Sequence, residues 1–372
     1  MNKIVSFFKR EVMFTISLIA ALLSFLITPP TGEMIVNLNW STLSILFMLF
    51  AVLEGMKREN SLQAIINLIS SIKGTFALSL SLILIIFFLS MFITNDVSLL
   101  TFVPITILIL KTAEKERYLI PVIVLETIAA NLGSMATPFG NPQNLFLYQR
   151  MGISGVDFAL SMLPIVIASL LLLIASTALL FKGRMHDQII LRPETGKDIG
   201  SKTMRMFYLC LFATVLLTVL GFFPLVKILL LVLLMLLFFD RSIFKKIDWP
   251  LMGTFLCFFI FSSSIAANEK IASLLAFVVR GNEFASGLIL SQVVSNVPAA
   301  ILLEPFTDNY KALLYGVDIG GLGTPVASLA SLISIRCFTK EMPGKRGAFM
   351  KTFLLYNLVF LALLAALGFI VL

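Results

Sequence analysis

Residues 131–144, NLGSMATPFGNPQN, decide the fold of this 372-residue chain. The stretch lies between an apolar run at 118–130 and a short apolar piece at 145–148, which together have the length of one membrane-crossing helix. Its prolines and glycines break that helix, because proline lacks an N–H group and glycine disfavours helical order. Unwound backbone at membrane depth is tolerated only where it is buried in protein or lines a wet cavity. The stretch therefore predicts a broken helix at an enclosed polar site.

A second copy of the pattern occurs at residues 318–332, DIGGLGTPVASLASL. When Asn131 is aligned with Asp318, four aligned pairs are identical: Gly133 with Gly320, Thr137 with Thr324, Pro138 with Pro325, and Leu145 with Leu332. Two broken helices at matching places in two halves are the best sequence indication of a transporter binding site. The pair predicts a secondary transporter.

The composition excludes an ordinary soluble protein, because 59% of the residues are hydrophobic and only 13% are charged. Apolar runs recur that are long enough to cross a bilayer, and most of the 28 basic residues flank them. The net charge of +8 therefore indicates membrane orientation and not a nucleic-acid partner. No nucleophile elbow, phosphate-binding loop or paired-Asp motif is present, so the sequence does not predict an enzyme.

The predicted fold is an all-α polytopic membrane protein with two inverted repeats. Each repeat has a re-entrant hairpin and a broken helix, and one extra helix links the repeats. Basic loops place the N-terminus in the cytoplasm and the C-terminus outside the cell membrane, and the segments 60–72 and 267–280 are predicted to lie in the membrane interface. The predicted boundaries are a first repeat at 11–181 with hairpin 74–110 and broken helix 118–149, a cytoplasmic linker at 182–205, an extra helix at 206–223, and a second repeat at 225–372 with hairpin 284–306 and broken helix 309–337.

The two hairpin tips carry matching polar pairs, Thr94-Asn95 and Ser295-Asn296. A hydroxyl followed by an amide can cap a helix, which is the structural interpretation of either pair alone. Because the pairs are matched and face two unwound segments, we expect them to bind substrate. The expected substrate contacts are Thr94, Asn95, Thr137, Asn141, Asn144, Ser295, Asn296 and Thr324.

Asp96 is the acidic residue at the first tip, and its counterpart in the second half is Val297. An ionisable group inside a membrane is costly and marks a functional site. Asp96 and Asp318 would bind Na⁺ when ionised or carry H⁺ when protonated, and either could instead cap a helix. Glu126 and Glu304 could face a cavity or lie at the level of the interface. Oxygen ligands suit a hard cation, and the candidate liners are Asn131, Thr137, Asn141, Asn144, Asp318, Thr324, Ser328 and Ser331.

These residues resemble the ion transporter superfamily, which includes divalent anion/sodium symporters, citrate and arsenite permeases and one family of sodium/proton antiporters. TND at 94–96 and SNV at 295–297 are similar to its paired Ser-Asn-Thr tips, although Asp96 and Val297 replace the final threonine. The resemblance implies a homodimer, elevator-type alternating access and one sodium site at each tip with its neighbouring unwound loop. The implied sodium ligands are Asn95, Asp96, Asn131, Gly133, Asn296, Asp318, Gly320 and Ser328.

The expected function is therefore transport of a small anion, a carboxylate or an inorganic oxyanion, coupled to Na⁺ or H⁺. The coupling ion is the only cofactor expected. The alternative is cation/proton antiport centred on Asp96 and Asp318.

Overall fold

The structure is a computed structural model, and it describes residues 6–8, 11–36, 38–62, 72–185, 187 and 200–372. The described residues form helices and no strands, so the prediction of an all-α fold is confirmed. The first half contains α1 (Val12–Ser24), α2 (Trp40–Arg58), α3 (Thr75–Ile93), α4 (Asn95–Thr112), α5 (Leu119–Ser134), α6 (Pro142–Met151) and α7 (Gly155–Leu180). The second half contains α8 (Lys202–Val219), α9 (Leu225–Phe239), α10 (Trp249–Ala266), α11 (Glu269–Val279), α12 (Glu283–Val294), α13 (Asn296–Leu303), α14 (Tyr310–Gly320), α15 (Leu329–Glu341) and α16 (Arg346–Val371).

Seven helices in the described part of the chain are long and apolar enough to cross a bilayer. They are α2, α3, α4, α7, α8, α10 and the helix that ends the chain. The many exposed leucine, isoleucine, valine and phenylalanine side chains are expected on helices whose outer surface contacts lipid. The protein is therefore a multi-pass membrane protein.

The first apolar helix, α1, covers 13 residues and stops at Ser24. The linking helix α8 begins at Lys202, four residues before the predicted start, and ends at Val219. Most of the predicted interfacial helix at 60–72 and most of the predicted linker lie outside the described residues.

Two helical hairpins turn on a single residue each. Thr94 joins α3 to α4 with φ of 69°, and Ser295 joins α12 to α13 with φ of 79°. A non-glycine residue with positive φ is uncommon, and such backbone strain is concentrated at functional sites. The hairpin tips therefore hold a conformation that the rest of the fold must stabilise.

The two breaks are shorter than the sequence predicts. The first spans residues 135–141, between α5 and α6, and the second spans 321–328, between α14 and α15. Asn131 and Asp318, which were expected to be unwound, lie instead in the last turns of α5 and α14. Asn131 and Asp318 therefore reach the site from the ends of helices and not from unwound backbone.

Close packing of each hairpin against a broken helix requires glycine. A Cβ on Gly133 of α5 would lie 2.0 Å from the carbonyl oxygen of Phe87 in α3. A Cβ on Gly316 of α14 would lie 2.3 Å from the carbonyl oxygen of Phe284 in α12. Both are backbone contacts that cannot be relieved by a rotamer change, so the two glycines bring each hairpin against its broken helix.

Candidate functional site

The site forms where both hairpin tips meet both helix breaks. Asn95 Nδ2 of the first tip donates to Asn131 Oδ1 at 3.3 Å. At the second tip, the backbone N–H of Asn296 donates to the carbonyl oxygen of Ala327 in the second break at 2.9 Å. Asn131 Nδ2 reaches the carbonyl oxygen of Gly321, also in the second break, at 3.5 Å. Segments that are more than 200 residues apart in sequence are thus in one hydrogen-bonded cluster.

Two reciprocal contacts connect the halves. Ser328, the last residue of the second break, donates through Oγ to Asn131 Oδ1 at 2.9 Å. Asn141, the last residue of the first break, donates through Nδ2 to Asp318 Oδ1 at 3.4 Å. In the alignment of the two halves, Asn131 corresponds to Asp318 and Asn141 corresponds to Ser328. Each contact is therefore the counterpart of the other in this alignment.

Asn141 and Ser328 also begin the helices that follow the breaks. Asn141 Oδ1 accepts from the backbone N–H of Asn144 at 2.8 Å, and Ser328 Oγ accepts from that of Ala330 at 3.2 Å. These are N-cap contacts. Capping and contact with the other half are thus made by the same side chains.

The two aligned threonines attach each break to its own hairpin. The Thr137 hydroxyl donates to the carbonyl oxygen of Met91, and the Thr324 hydroxyl donates to that of Gln292 at 2.9 Å. Met91 and Gln292 both stand three residues before their hairpin tips. In this conformation both threonine hydroxyls donate to backbone carbonyl oxygens of the hairpins, so the threonines position the tips. Their expected direct role with substrate remains a prediction.

Asn144 is fully buried and holds the first break together. Its Nδ2 donates to the carbonyl oxygens of Ser134, Met135 and Thr137, at 3.0–3.3 Å. Gln292 does the same for the second break, with Nε2 donating to the carbonyl oxygens of Gly320 at 2.8 Å and Leu322 at 3.0 Å. Asn144 was expected to contact substrate, and Gln292 was not among the predicted site residues. Gln292 could have been recognised as a candidate from its position three residues before the predicted tip at Ser295.

Gln143 is a second side chain that the sequence analysis overlooked. Its Nε2 donates to Asp318 Oδ1 at 3.0 Å, beside the contact from Asn141. Asp318 is 2% exposed, and its Oδ2 has no hydrogen-bond partner. One oxygen of this carboxyl is therefore held by two amides, and the other is buried and free to bind a cation or a proton.

Asp96 lies in the first turn of α4, directly after the tip. Its backbone N–H donates to Asn95 Oδ1 at 2.9 Å, while its own Oδ1 is buried without a partner. The residue preceding this helix, Thr94, makes no side-chain cap bond. The contacts therefore do not support the interpretation of Asp96 as a helix cap.

Glycine carbonyls were also expected at the sodium sites. The Gly133 carbonyl accepts from the backbone of Ala136 at 3.0 Å, and the Gly320 carbonyl accepts from Gln292. The Gly133 carbonyl also accepts from the backbone of Met135, and the expected sodium-binding role of both glycines remains a prediction. Close packing is the role that the contacts of Gly133 establish.

A cavity of about 250 Å³ lies beside the second hairpin, between α6, α10 and the end of α13. Arg150 of α6 forms an ion pair with Glu304 in its wall, with 3.0 Å between Nε and Oε1. Ser262 of α10 donates to the carbonyl oxygen of Ile301 at 2.7 Å and joins this wall to the hairpin. Glu304 thus lines a cavity, which was one of its two expected locations.

A multi-pass helical protein with two broken helices around a polar site belongs to the class of membrane transporters, and one relative is named as a transporter. The sequence profile of the citrate transporter family matches residues 4–312, and the chain belongs to that family. An uncharacterised transporter of Methanocaldococcus jannaschii is 34% identical over 305 residues, which cover 80% of this chain and 81% of the relative. The inner membrane protein YbiR of Escherichia coli is 32% identical over 291 residues, which cover 76% and 74% of the two chains.

Proposed function

We propose that this chain is a secondary active transporter that moves a small anion, a carboxylate or an inorganic oxyanion, coupled to Na⁺ or H⁺. The observation that carries the proposal is the reciprocal pair of contacts, Ser328 with Asn131 and Asn141 with Asp318. A site built from both halves can change its access when structural units move around it, as alternating access requires. Citrate, which gives the family its name, is a small carboxylate and belongs to the proposed substrate class.

Helix ends supply the charge for an anion. Four helices begin at the tips and breaks, at Asn95, Pro142, Asn296 and Leu329. The unpaired N–H groups and the positive end of the dipole at a helix N-terminus attract anions. The segments 94–96, 131–144, 295–297 and 318–332 contain no lysine or arginine. The anion would therefore rest on N–H groups, amides and hydroxyls, with Asn95 and Asn296 nearest the tips.

The same segments supply ligands for a cation. Four helices end at the tips and breaks, and their last carbonyl groups carry partial negative charge. The unpartnered oxygens of Asp96 and Asp318 add carboxylate ligands of the kind that suits Na⁺. A cation bound there would also reduce the repulsion between these acids and a transported anion. This is the physical basis for coupling.

The alternative is a Na⁺/H⁺ antiporter centred on Asp96 and Asp318. The observation that favours it is that each acid has a buried carboxyl oxygen without a hydrogen-bond partner. Such a group takes a cation or a proton, and competition between the two is sufficient for antiport. An organic anion is not needed in that mechanism.

The proposed architecture is two inverted repeats with re-entrant hairpins. The hairpins and broken helices form the moving unit of an elevator, and the remaining helices form a scaffold at the centre of a homodimer. The packing of each hairpin against its own broken helix supports treating them as one unit. The N-terminus is placed in the cytoplasm and the C-terminus outside.

Uptake into proteoliposomes with a panel of labelled carboxylates and oxyanions, with and without a sodium or proton gradient, tests the proposal. Asn95→Ala and Asn296→Ala should each abolish uptake in folded protein. The matched control is Asn268→Ala, which removes only the N-cap of α11 and should retain uptake. Normal uptake in both tip variants would refute the proposed site, and proton flux that needs only Na⁺ would establish the alternative.

Asp96→Asn separates the two ions. If Asp96 binds Na⁺, this variant should need more Na⁺ for the same uptake, because the substitution removes charge and keeps shape. If Asp96 carries H⁺, the variant should lose its pH dependence and respond normally to Na⁺. Wild-type profiles for both ions would remove Asp96 from the coupling mechanism.

A further inference from the structure

Glu126 is a buried acid that the candidate site does not use. It lies in the middle of α5 with none of its surface exposed. The Thr106 hydroxyl of α4 donates to its Oε1 at 2.5 Å. Its Oε2 is buried and has no hydrogen-bond partner. One donor is a poor environment for an ionised carboxylate, which has about four acceptor positions to satisfy.

No positive charge balances Glu126 in the described part of the chain. The Thr106 hydroxyl is the donor to this carboxyl, and none of the ion pairs among the described residues includes it. Titratable groups on the elements that pack against α5 are Glu116, Arg117 and Tyr118 in the preceding turn, Asp96 and Lys111 on α4, Asp157 on α7, Tyr310, Lys311, Tyr315 and Asp318 on α14, Arg336, Cys337, Lys340 and Glu341 on α15, and Arg346, Lys351 and Tyr356 on α16.

An unpaired charge that is fully buried in protein is costly. A buried carboxyl avoids that cost by taking up a proton, which converts the carboxylate to a neutral acid with no change elsewhere. The surroundings of Glu126 therefore favour its protonated form in this conformation. A change in its surroundings that admits water or a cation would release the proton.

Hydroxyls on α15 provide a second, independent observation. Ser331 and Ser334 are fully buried, and neither hydroxyl has a partner. Together with Ser328 they recur every three residues and therefore lie along one side of α15. This helix packs against both α4 and α5. A hydroxyl both donates and accepts, so a buried one without a protein partner can pass a proton when a water molecule bonds to it.

The register places this row at the level of Glu126. The two helices are in contact at both ends, through Ser328 with Asn131 near the breaks and through Lys345 with Glu116 at 3.0 Å beyond the opposite ends. They therefore run antiparallel. Ser334 is about 9 Å along α15 from Ser328, and Glu126 is about 7.5 Å along α5 from Asn131. Glu126 and Ser334 consequently lie at nearly the same level.

We propose that Glu126 is a proton-binding site of the transport cycle, separate from the hairpin tips, and that the hydroxyl row of α15 connects it to the central site. This inference rests on the proposed function and deepens it by naming H⁺ as a coupling ion. Protonation of Glu126 favours the packed arrangement of α4, α5 and α15 described above. Release of the proton favours the arrangement in which the carboxyl is hydrated.

Infrared spectroscopy of the wild-type protein in lipid tests the site with the proton itself as the probe. A carbonyl stretch of a protonated carboxylic acid should be present at neutral pH and disappear as the pH rises. Glu126→Gln should abolish this band, and Thr106→Val should shift its frequency by removing the hydrogen bond. Glu304→Gln is the matched control, because it neutralises a buried acid that is paired with Arg150, and it should leave the band unchanged.

Transport provides the second readout. An inward proton gradient should stimulate anion uptake by the wild type, and this stimulation should vanish in Glu126→Gln. Glu126→Asp keeps the acid, so it should retain a titrating band and part of the stimulation if Gln proves too disruptive to fold. A wild-type protein without a Glu126-dependent band, or with one that does not titrate while the protein is folded, overturns the inference. A titrating band without any anion uptake would refute the proposed function and leave the proton site standing.

Discussion

Asn131 is the side chain on which the contact between the two halves most depends, and its removal gives the sharpest test of the site. It accepts from Ser328 at 2.9 Å and from Asn95 at 3.3 Å, and it donates to the Gly321 carbonyl at 3.5 Å. Hydrogen bonds contribute about 0.5–1.5 kcal/mol each, with averages near 0.6 inside membranes. With the longest contact counted at the lower end, Asn131→Ala should destabilise the protein by about 2 kcal/mol.

A double-mutant cycle isolates the contact between the halves. Asn131→Ala and Ser328→Ala should couple by about 0.5–1.5 kcal/mol in unfolding measured by denaturant titration in detergent. The control pairs Asn131→Ala with Asn268→Ala, whose side chain caps α11 and shares no partner with Asn131, so their effects should add. Additivity of Asn131→Ala and Ser328→Ala would show that the hydrogen bond joining the halves does not form in the folded protein.

Three further predictions concern packing, pH and orientation. Gly133→Ala should prevent folding or abolish transport, because its Cβ would lie 2.0 Å from a backbone carbonyl, whereas Gly347→Ala, with no heavy atom within 4 Å of the added Cβ, should be tolerated; equal expression and uptake of the two would contradict this. Burial alone would raise the pKa of Asp240, but its hydrogen bonds outweigh burial and hold the pKa at about 2. The ionised carboxylate therefore stabilises the folded protein fully above the unfolded pKa of about 3.9, and this stabilisation is lost as the pH falls towards 2. Asp240→Asn should therefore lower the unfolding midpoint at neutral pH and narrow its difference from the wild type in acid, and a constant difference would contradict the assignment. Single cysteines at Lys115 and Asn309, in a variant lacking the native cysteines, should label from the cytoplasm and from outside respectively, and labelling from one side would end the inverted-repeat proposal.

The Asp240 prediction rests on a cluster at the end of α2. Arg58 Nη2 and the Tyr208 hydroxyl each donate to Asp240 Oδ2 at 2.5 Å, and Ser242 Oγ donates to Oδ1 at 2.6 Å. Gly55 makes room for the Tyr208 ring, which would overlap any Cβ at that position. The cluster thus joins α2, α8 and the segment after α9.

Local rules were sufficient to predict the helices. Apolar runs of sufficient length specify membrane helices, because the bilayer offers the backbone no other hydrogen-bond partners. Clustered glycine and proline residues disfavour a helix, so both breaks were found from 131–144 and 318–332. The predicted breaks were too long, because Asn131 and Asp318 still belong to the helices that precede the breaks.

The alignment of the two halves also came from the sequence, and it identified the residues that later proved to be in contact. It could not show that Asn131 meets Ser328 while Asp318 meets Asn141, because these contacts depend on how the halves are placed in space. Gln143 and Gln292 were missed for the same reason. A glutamine near a break has no distinctive local pattern, and its importance comes from the carboxyl or carbonyl groups that tertiary packing brings within reach.

The sequence by itself thus determined the class of protein, the helices and the polar segments, since each follows from short-range backbone chemistry and from the length of apolar runs. Tertiary structure alone decided which polar side chains bond to backbone carbonyl oxygens, as Thr137 and Asn144 do. It also decided which acids keep a carboxyl oxygen without a hydrogen-bond partner, as Asp318 and Glu126 do. The physical reason is that a buried polar group is defined by the partners around it. Those partners come from distant parts of the chain.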